Sequence, residues 1–527
     1  MAQPTLTRRR MLEATIGGAL GLSATALLAA CGASTAPRAA STAAAPATSA
    51  SAASTAASPA LATATPASSL TPAQATAVAL QNAPIASQPP PGAANSTPDP
   101  KSKGSLVWLV RAGTAENTGQ RQVFLPAAAK LLPGVQIEYN VIANDGSYGQ
   151  KILTMAASGT PPDIWGFGQN YLYYWAIGLP QALDEYINAD KWDVDNYFLP
   201  GLMNIFKVHG KHYGLSQDTT FGNLGFYNKE MLQQAGVSLP PYDWEDTSWT
   251  VDTMLDTAHR LTKNAGQPSA VFGVNWNIAN GPDSSYLWGD DAWKPEHYQN
   301  FIAQESQLTN PGVTDAFQFR QDLLWKERVM ANTQDNKTIG NIGDFFRLQR
   351  TAMLFGGGWN FWGYNDVKNF TVGVCAVPGK KANKVTNFDD FWIMARASKA
   401  KDAAWAFLRM LTNADIAADY GLLTGVPITP KAAYEKWLPS QATFHKTSVD
   451  DLKKVTLGAI DPKRTQESTD HLFLDWATIS KAFNDGVAPI YNENKGPVAS
   501  VMPGIKSTID GVLRSIYDRY TGKLPTD

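Results

Sequence analysis

The side chains best suited to chemistry here are tryptophans that stand beside asparagine, glutamine and glycine in short polar stretches. The sequence has 16 Trp, 18 Tyr and 21 Phe, and three such stretches span residues 165–171, 275–277 and 358–363. A flat indole face fits the C–H face of a sugar ring, while neighbouring amides can hydrogen-bond its hydroxyl groups. Any single Trp is more often a core residue than a ligand platform. Together, the stretches predict a cleft for a neutral, hydroxyl-rich ligand.

Motifs for catalysis or metal binding are incomplete in this sequence. Asp218 stands where a Gly-x-Ser-x-Gly elbow needs its second glycine, and Tyr171 stands where a dinucleotide-binding motif needs its third. His209 and His212 flank a glycine in a strand-and-turn context, whereas zinc-binding histidine pairs usually lie on a helix or in a Cys/His cluster. The adjacent carboxylates at 389–390 show no sign of flanking a scissile bond. We therefore expect no catalytic residue, no metal and no cofactor.

The elements that must position the polar stretches alternate between strand and helix. Strands are predicted over residues 105–110, 135–141 and 163–167, helices over 120–132 and 150–158, and further helix from 183–187. This alternation predicts a β–α–β lobe with a mostly parallel sheet. Ligands bind outside the carboxyl ends of such strands, which is where the loops after Val110 and Trp165 lie.

The chain opens with the features of a lipoprotein export signal over residues 1–30. Arg8, Arg9 and Arg10 precede a weakly apolar run that ends in Leu-Ala-Ala-Cys at Cys31. A charged start, a short apolar stretch and small residues before the cleavage point indicate an export signal rather than a spanning helix. The paired arginines favour the twin-arginine route. The ending resembles a lipoprotein box, which implies lipidation of Cys31; an ordinary secretory signal with a chance cysteine is the alternative.

Residues 31–103 are almost wholly Ala, Ser, Thr and Pro. Such a segment cannot bury enough apolar surface to offset its ordering entropy, so we expect a disordered tether between the lipidated Cys31 and the folded part. A low-complexity spacer with no anchor is the alternative. The remaining residues, about 420 of them, suffice for two lobes of about 150–200 residues each.

Composition excludes some partners. The signal holds three arginines and one acid, so removing it leaves 41 basic and 45 acidic residues and a net charge of −4. Without a basic excess, nucleic acid is not an expected partner. Of the 2 cysteines, Cys31 is the predicted lipidation site, which excludes a disulfide within the folded part. Cys375 lies in an apolar run and is predicted to be a small buried hydrophobe.

Six ordered stretches carry a family resemblance. They are HGKHYGL (209–215), GFYNKEML (225–232), AMLFGGGW (352–359), VGVCAVPG (372–379), ARASK (395–399) and AAWAFL (403–408). Behind a lipoprotein signal, this set resembles the family 1 extracellular solute-binding proteins of ABC importers, the group that includes maltose-binding protein. The resemblance covers residue 104 to the C-terminus. GTPPD at 159–163 also matches the small-residue-Pro-Asp sequence with which a strand begins in that family.

The resemblance implies an α/β fold of two lobes, the periplasmic-binding-protein fold, joined by three hinge crossings. They would fall near residues 217–223, 386–391 and 424–427. Lobe one would comprise 104–217 plus 389–424, and lobe two 218–388 plus 425–527. Glycines at 222, 225 and 425 lie in or beside these stretches, where a hinge needs residues that absorb a backbone rotation.

The resemblance also implies which residues meet a ligand. A Trp at the place of Trp359, after three glycines, stacks on a sugar in similar proteins, and a carboxylate such as Asp218 accepts sugar hydroxyls at the first crossing. The expected ligand-binding set is Trp359, Trp362, Asp218, Gln169, Asn170, Glu116, Asn117, Trp276, Asn277, Asp389 and Trp392.

The function implied by the resemblance is that of a monomeric, lipid-anchored receptor outside the cytoplasm. It would capture a carbohydrate and deliver it to the transmembrane permease of an ABC importer, without bond cleavage. Two alternatives stay open: a secreted carbohydrate-active enzyme, and an importer receptor for a polyamine, a phosphorylated polyol or a peptide. Arg111, at the end of the first strand, is the residue that would favour an anionic ligand.

Overall fold

The computed structural model describes residues 96–526, apart from 145–146, 167–169 and 279–280. The export signal over residues 1–30, the predicted lipidation site Cys31 and most of the predicted tether lie outside the described residues.

The described strands are β1 (Gly104–Arg111), β2 (Val135–Ile142), β3 (Ile164–Gly166), β4 (Lys207–Val208), β5 (Lys211–His212), β6 (Leu215–Thr219), β7 (Asn223–Asn228), β8 (Phe272–Trp276), β9 (Thr351–Gly357), β10 (Val372–Cys375), β11 (Val385–Asn387), β12 (Asp389–Met394) and β13 (Thr465–Glu467). The described α-helices are α1 (Thr114–Gly119), α2 (Leu125–Leu131), α3 (Ser147–Ala157), α4 (Tyr171–Ala176), α5 (Asp184–Ala189), α6 (Val194–Tyr197), α7 (Leu202–Ile205), α8 (Lys229–Gln234), α9 (Val251–Leu261), α10 (Pro295–Asn300), α11 (Pro311–Trp325), α12 (Thr333–Ile339), α13 (Asn360–Gly363), α14 (Lys401–Leu411), α15 (Ala414–Thr424), α16 (Lys431–Phe444), α17 (Val449–Ala459), α18 (Thr469–Leu472), α19 (Trp476–Glu493) and α20 (Val498–Tyr520). A π-helical turn spans Gln120–Phe124, and a 3₁₀ helix spans Gly281–Trp288.

A five-stranded sheet has the order β2-β1-β3-β12-β6. β1 pairs in parallel with β2 and β3, whereas β12 runs antiparallel to both β3 and β6. Helices connect β1 to β2 and β2 to β3, so the predicted β–α–β alternation is confirmed. The sheet is therefore parallel over β2, β1 and β3. The antiparallel pairs are those of β12, which returns to the sheet from a later part of the chain.

Helical structure begins earlier than predicted after β1. The helix expected over 120–132 starts at Thr114 and continues through the π-helical turn to Leu131. Pro126, at the start of α2, has no N–H for a helical hydrogen bond, and the wider π-helical turn ends just before it. Glu116, expected in a loop, therefore lies on the first turn of α1.

A second sheet has the order β10-β7-β9-β8. Its neighbours are antiparallel except for β8 and β9, which are parallel. Helices cover both sheets, which gives the two-lobed α/β fold expected from the sequence. Two small ribbons, β4–β5 and β11–β13, complete the strands of the described residues.

The chain passes between the two sheets at the first predicted crossing, and the segments predicted for the other two crossings lie beside it. Residues 220–222 join β6 of the first sheet to β7 of the second, and Phe388 separates β11 from β12. The N–H groups of Thr220 and Thr219 donate to the carbonyls of Phe388 and Pro427, each at 3.2 Å. Three distant segments therefore lie side by side; the lobe boundaries drawn from the sequence stay a prediction.

Aromatic side chains fill much of the core. The Trp108 ring lies 5.1 Å from the rings of Tyr139 and Phe407 and 5.6 Å from that of Trp392, measured between centroids. Cys375 is a buried hydrophobe as predicted, and burial raises the pKa of its thiol. No helix in the described part of the chain combines the length and apolarity needed to cross a bilayer.

Candidate functional site

A cavity of about 1280 Å³ lies where segments following strands of both sheets meet. Arg111, Asn144 and Asn170 line it from the carboxyl ends of β1, β2 and β3, while Asn277 and Trp359 line it after β8 and β9. The carboxyl edge of parallel strands is where an open α/β sheet binds ligands. The cavity thus lies at the edge that the sequence predicts.

Aromatic rings form one wall of this cavity. Trp359, Trp362 and Phe388, here called the aromatic wall, line it from the end of β9, from α13 and from the link between β11 and β12. The rings of Trp359 and Phe388 meet edge to face, with centroids 6.0 Å apart. This contact fixes the Trp359 indole while its side chain stays only partly buried.

The glycines before Trp359 make room for the protein's own atoms. A Cβ on Gly357 would lie 2.0 Å from the Trp359 ring, and a Cβ on Gly358 would lie 1.9 Å from the carbonyl oxygen of Thr220. The Gly358 N–H donates to that same oxygen at 2.7 Å. These glycines therefore seat the indole and tie the end of β9 to the first crossing.

Helix α19 turns one face to the cavity. Trp476, Ser480, Phe483, Val487 and Tyr491 recur three or four residues apart, which places them on one side of a helix, and all five line the cavity. None of them was predicted, because a stripe at helical spacing is equally typical of a helix that packs on a core.

A second wall of the cavity is charged. It consists of Arg111, Glu116 and Asp390, here called the charged wall, in which Arg111 and Asp390 form an ion pair at 2.6 Å. Burial alone would lower the pKa of Arg111, but the negative charges of Asp390, Asp218 and Glu116 outweigh burial and raise that pKa. The guanidinium therefore stays charged and partly neutralises the carboxylates around it.

Asp218 and Asp389 lie behind the charged wall. They are 2% and 1% exposed, and the Gln217 amide donates to Asp218 at 2.8 Å. Burial raises the pKa of both carboxyls well above the ordinary range, and the negative charge of Asp390 adds to that effect. The raised pKa values favour the uncharged form of both side chains. Asp218 and Asp389 therefore support the charged wall from behind and do not line the cavity.

The predicted ligand-binding residues divide into three groups. Those that line the cavity are Trp359, Trp362, Asn170, Glu116 and Asn277. Those that are described but do not line it are Asp218, Asn117, Trp276, Asp389 and Trp392. Gln169 lies outside the described residues.

Asn117, on α1, links this helix to the end of β1 at Arg111. Its side-chain oxygen accepts the Gly113 N–H at 2.9 Å, and its amide donates to the Arg111 carbonyl at 3.1 Å and to Gln120 at 2.9 Å. Because these bonds use its side chain between α1 and β1, Asn117 acts on the cavity through Arg111.

Trp276 and Trp392 are core residues. They are 1% and 2% exposed. The Trp276 ring packs against Phe355 with centroids 5.3 Å apart, and the Trp392 ring packs against Trp108. The sequence context of Trp276, between two asparagines, does not reveal that β8 turns this ring inward.

The histidines at 209 and 212 belong to a hairpin, as the sequence indicated. His209 lies in the turn between β4 and β5, with a φ of 49°. His212 is buried and has a carboxylate oxygen at each ring nitrogen, from Asp184 at 3.0 Å and from Asp195 at 3.2 Å. Within the described ranges, no three His, Cys, Asp or Glu residues are grouped so as to hold a metal ion.

Sequence comparison adds a family and distant relatives. A family described as bacterial extracellular solute-binding protein matches residues 112–418. A protein of Brucella abortus described as a binding protein is 23% identical over 298 residues, which is 55% of this chain and 67% of that protein.

Solved structures share the fold at low sequence identity. An ABC substrate-binding protein from Listeria monocytogenes, in complex with cycloalternan, superposes with a TM-score of 0.64 at 19% identity and covers 78% of this chain and 100% of its own. A Thermotoga lettingae ABC transporter solute-binding protein, bound with α-D-tagatose, gives 0.61 at 19% identity, with the same coverage. The maltose/maltodextrin-binding domain MalE from Bdellovibrio bacteriovorus, bound to maltotriose, gives 0.60 at 14% identity, again with that coverage.

Proposed function

Because this chain belongs to the bacterial extracellular solute-binding protein family, it is a binding protein that works outside the cytoplasm, and we propose that its ligand is a carbohydrate. The similar structures from three bacteria hold cycloalternan, tagatose and maltotriose. Cavities for drug-sized ligands measure about 300–1,000 Å³. The larger volume of about 1280 Å³ here favours an oligosaccharide over a single sugar.

One observation carries this proposal: indole rings and hydroxyl-binding groups line the same cavity. Trp359 and Trp362 offer apolar surface, while Asn170, Asn277 and Glu116 offer hydrogen-bonding groups. A sugar ring presents both an apolar C–H face and hydroxyl groups, so it can use both sets at once. Polar groups that need a hydroxyl partner then reject analogues that lack one.

Capture is coupled to closure of the two lobes. The ligand contacts segments that follow strands of both sheets, so it stabilises an arrangement in which both reach it. The three crossings near residues 217–223, 386–391 and 424–427 absorb the movement, with lobe one at 104–217 plus 389–424 and lobe two at 218–388 plus 425–527. The closed monomer then docks on an ABC permease and releases the sugar there.

The protein is held at the membrane by lipid on Cys31. The twin-arginine signal over residues 1–30 directs export, and residues 31–103 tether the folded part to the lipidated cysteine. A single acyl chain gives only marginal membrane binding, so this anchor requires more than one chain.

The site favours binding over bond cleavage. A glycosidase needs two carboxyl groups that flank the bond to be broken. Among the carboxylates near the cavity, Asp390 is held by Arg111, while Asp218 and Asp389 are buried behind the charged wall. Glu116 and Asp475 are the other carboxylates of the described cavity lining. Asp475 lies 3.8 Å from Arg519 and accepts the Thr478 N–H, so it belongs to the start of α19 rather than to the charged wall.

Calorimetry on the full chain tests this function. Neutral and acidic oligosaccharides of two to four rings should include one that binds saturably with a stoichiometry of one. Chromatography of the recovered ligand should show it intact. The absence of binding across both classes would refute carbohydrate capture, and shortened products would identify an enzyme instead.

A further inference from the structure

Arg320 lines the cavity without a carboxylate partner. It belongs to α11, and its guanidinium lies over the ring of Tyr491 from α19, 4.6 Å from the centroid. In the part of the chain that the structure describes, the Arg320 Nε is buried with no hydrogen-bond acceptor, and no carboxylate pairs with this guanidinium.

The other arginines of the cavity lining are paired. Arg111 binds Asp390 at 2.6 Å, and Arg519 lies 3.8 Å from Asp475. Arg320 therefore differs from both in its electrostatic surroundings. It lies on a wall built by α11 and α19, whereas the excess of carboxylates lies on the charged wall near β1.

A partly buried cation is costly without a counter-charge. Stacking on Tyr491 uses the flat face of the guanidinium, and its edge keeps N–H donors in a fixed fork. Such an edge matches the two oxygens of a carboxylate, which can accept two parallel hydrogen bonds. One unneutralised guanidinium balances one negative charge, whereas a phosphate monoester carries about −1.5 to −2 at pH 7.

We propose that Arg320 binds a carboxylate of the carbohydrate ligand, which makes the ligand an acidic oligosaccharide with a uronic acid unit. This inference rests on the proposed function, since it names the class of sugar that the same cavity selects. The aromatic wall stacks on neighbouring rings, and the charged wall accepts hydroxyl hydrogens elsewhere along the ligand.

Three matched ligands test this assignment on the full chain by calorimetry. They are a neutral oligosaccharide, the same compound with one 6-hydroxymethyl group oxidised to a carboxylate, and the methyl ester of that acid. The ester keeps the shape of the acid but removes its charge. We expect the acid to bind about ten- to a hundredfold more tightly than the ester, as a charge-assisted hydrogen bond predicts.

Two substitutions connect that preference to Arg320. Arg320→Gln should reduce the acid-over-ester preference to about twofold or less, and Arg320→Lys, which keeps the charge but loses the fork, should retain part of it. Arg514→Gln is the matched control, since this arginine is exposed on α20 away from the cavity lining. Thermal unfolding of each free variant verifies that the fold is intact.

Equal affinity of the unsubstituted protein for acid and ester would overturn the inference, as would an equal loss for both ligands in Arg320→Gln. Tight binding of the neutral compound with weaker binding of the acid would reject the uronate subsite and leave carbohydrate capture standing. If none of these compounds nor any other oligosaccharide tested binds, the proposed function fails together with the subsite.

Discussion

The guanidinium of Arg111 lies 2.6 Å from the carboxylate of Asp390, 279 residues further along the chain. Arg111 ends β1, and Asp390 is the second residue of β12, so the pair joins two strands that flank β3 in one sheet. Glu116 adds negative charge beside the pair, while Asp218 lies behind it. Arg111 is thus the cationic centre of the charged wall, and its removal leaves Asp390 beside Glu116 without a counter-charge.

Arg111→Gln should lower the free energy of unfolding by about 2–4 kcal/mol at pH 7, because breaking a buried ion pair leaves uncompensated charge. The side chains are 20% and 16% exposed, which keeps the loss below that of a fully buried pair. Urea denaturation measures it. The loss should be smaller for Arg111→Lys, which keeps the positive charge. Arg396→Gln, at an exposed arginine, is the control, and equal losses for Arg111→Gln and Arg111→Lys would contradict the electrostatic explanation.

Trp359→Ala should weaken ligand binding by about thirtyfold, which corresponds to about 2 kcal/mol, while the fold is retained. The indole is partly buried at the cavity and rests against Phe388, so its removal takes apolar surface from the ligand more than from the core. Calorimetry with an oligosaccharide that binds the unsubstituted protein measures the change. Leu348→Ala removes an apolar side chain that is 49% exposed, away from the cavity lining, and should leave affinity unchanged. Unchanged affinity in Trp359→Ala would exclude this ring from the site.

The sequence predicts part of the cavity lining, namely the residues whose place is set by their position along a strand. Glu116 and Asn170 follow β1 and β3, and the carboxyl ends of neighbouring parallel strands meet at one edge, so both reach the cavity. Trp359 is found through its family-like context. Trp276 and Trp392 resemble it in composition but point into the core, since neighbouring residues on a strand face opposite ways and the sequence does not say which face is covered.

Two parts of the site depend on tertiary packing that no local pattern shows. The face of α19 that carries Trp476 and Tyr491 has ordinary helical spacing, and only its docking beside α11 turns it to the cavity. The charged wall likewise depends on β12 returning to the first sheet beside β3. Both contacts join residues that are far apart along the chain, so neither can be derived from periodicity.

Gly222→Ala should destabilise the junction of the crossings strongly. Gly222 has a φ of 59°, and a Cβ there would lie 1.7 Å from the carbonyl oxygen of Thr386. Gly210→Ala is the matched control, because its φ of 80° carries the same left-handed strain while nothing lies within 4 Å of the added Cβ. We expect a loss of about 1–2 kcal/mol for Gly210→Ala and at least about 3 kcal/mol for Gly222→Ala in urea denaturation. Similar losses in both variants would show that the backbone near Thr386 moves to make room for the added methyl group.

The buried histidine of the β4–β5 hairpin predicts a pH dependence of stability. His212 faces Asp184 and Asp195 through its two ring nitrogens, and only the protonated ring can donate to both. Burial would lower the pKa of His212, but the hydrogen bonds to Asp184 and Asp195 outweigh it and raise the pKa. The hydrogen bond from His212 is also the main reason that the pKa of Asp195 falls to about 2.

These shifts set the pH range in which the cluster stabilises the fold. A raised histidine pKa gives a contribution that is complete below the unfolded value of about 6.5 and is lost as the pH rises through the higher folded value. The lowered pKa of Asp195 gives a second contribution to stability. It is complete above about pH 3.9, the unfolded pKa, and is lost as the pH falls through the folded pKa of about 2. The contribution of the cluster is therefore greatest between about pH 4 and 6.5.

His212→Gln should consequently cost most stability near pH 6 and progressively less towards pH 9, because glutamine keeps one donor group but cannot take up the proton that both carboxylates use. Urea denaturation at several pH values measures the difference between this variant and the unsubstituted protein. His259→Gln provides the comparison, since that histidine has a side chain 44% exposed and contacts a single carboxylate, Glu327; its loss should be small throughout. A His212→Gln loss that stays constant from pH 6 to 9 would mean that the neutral ring serves the hairpin as well as the protonated one.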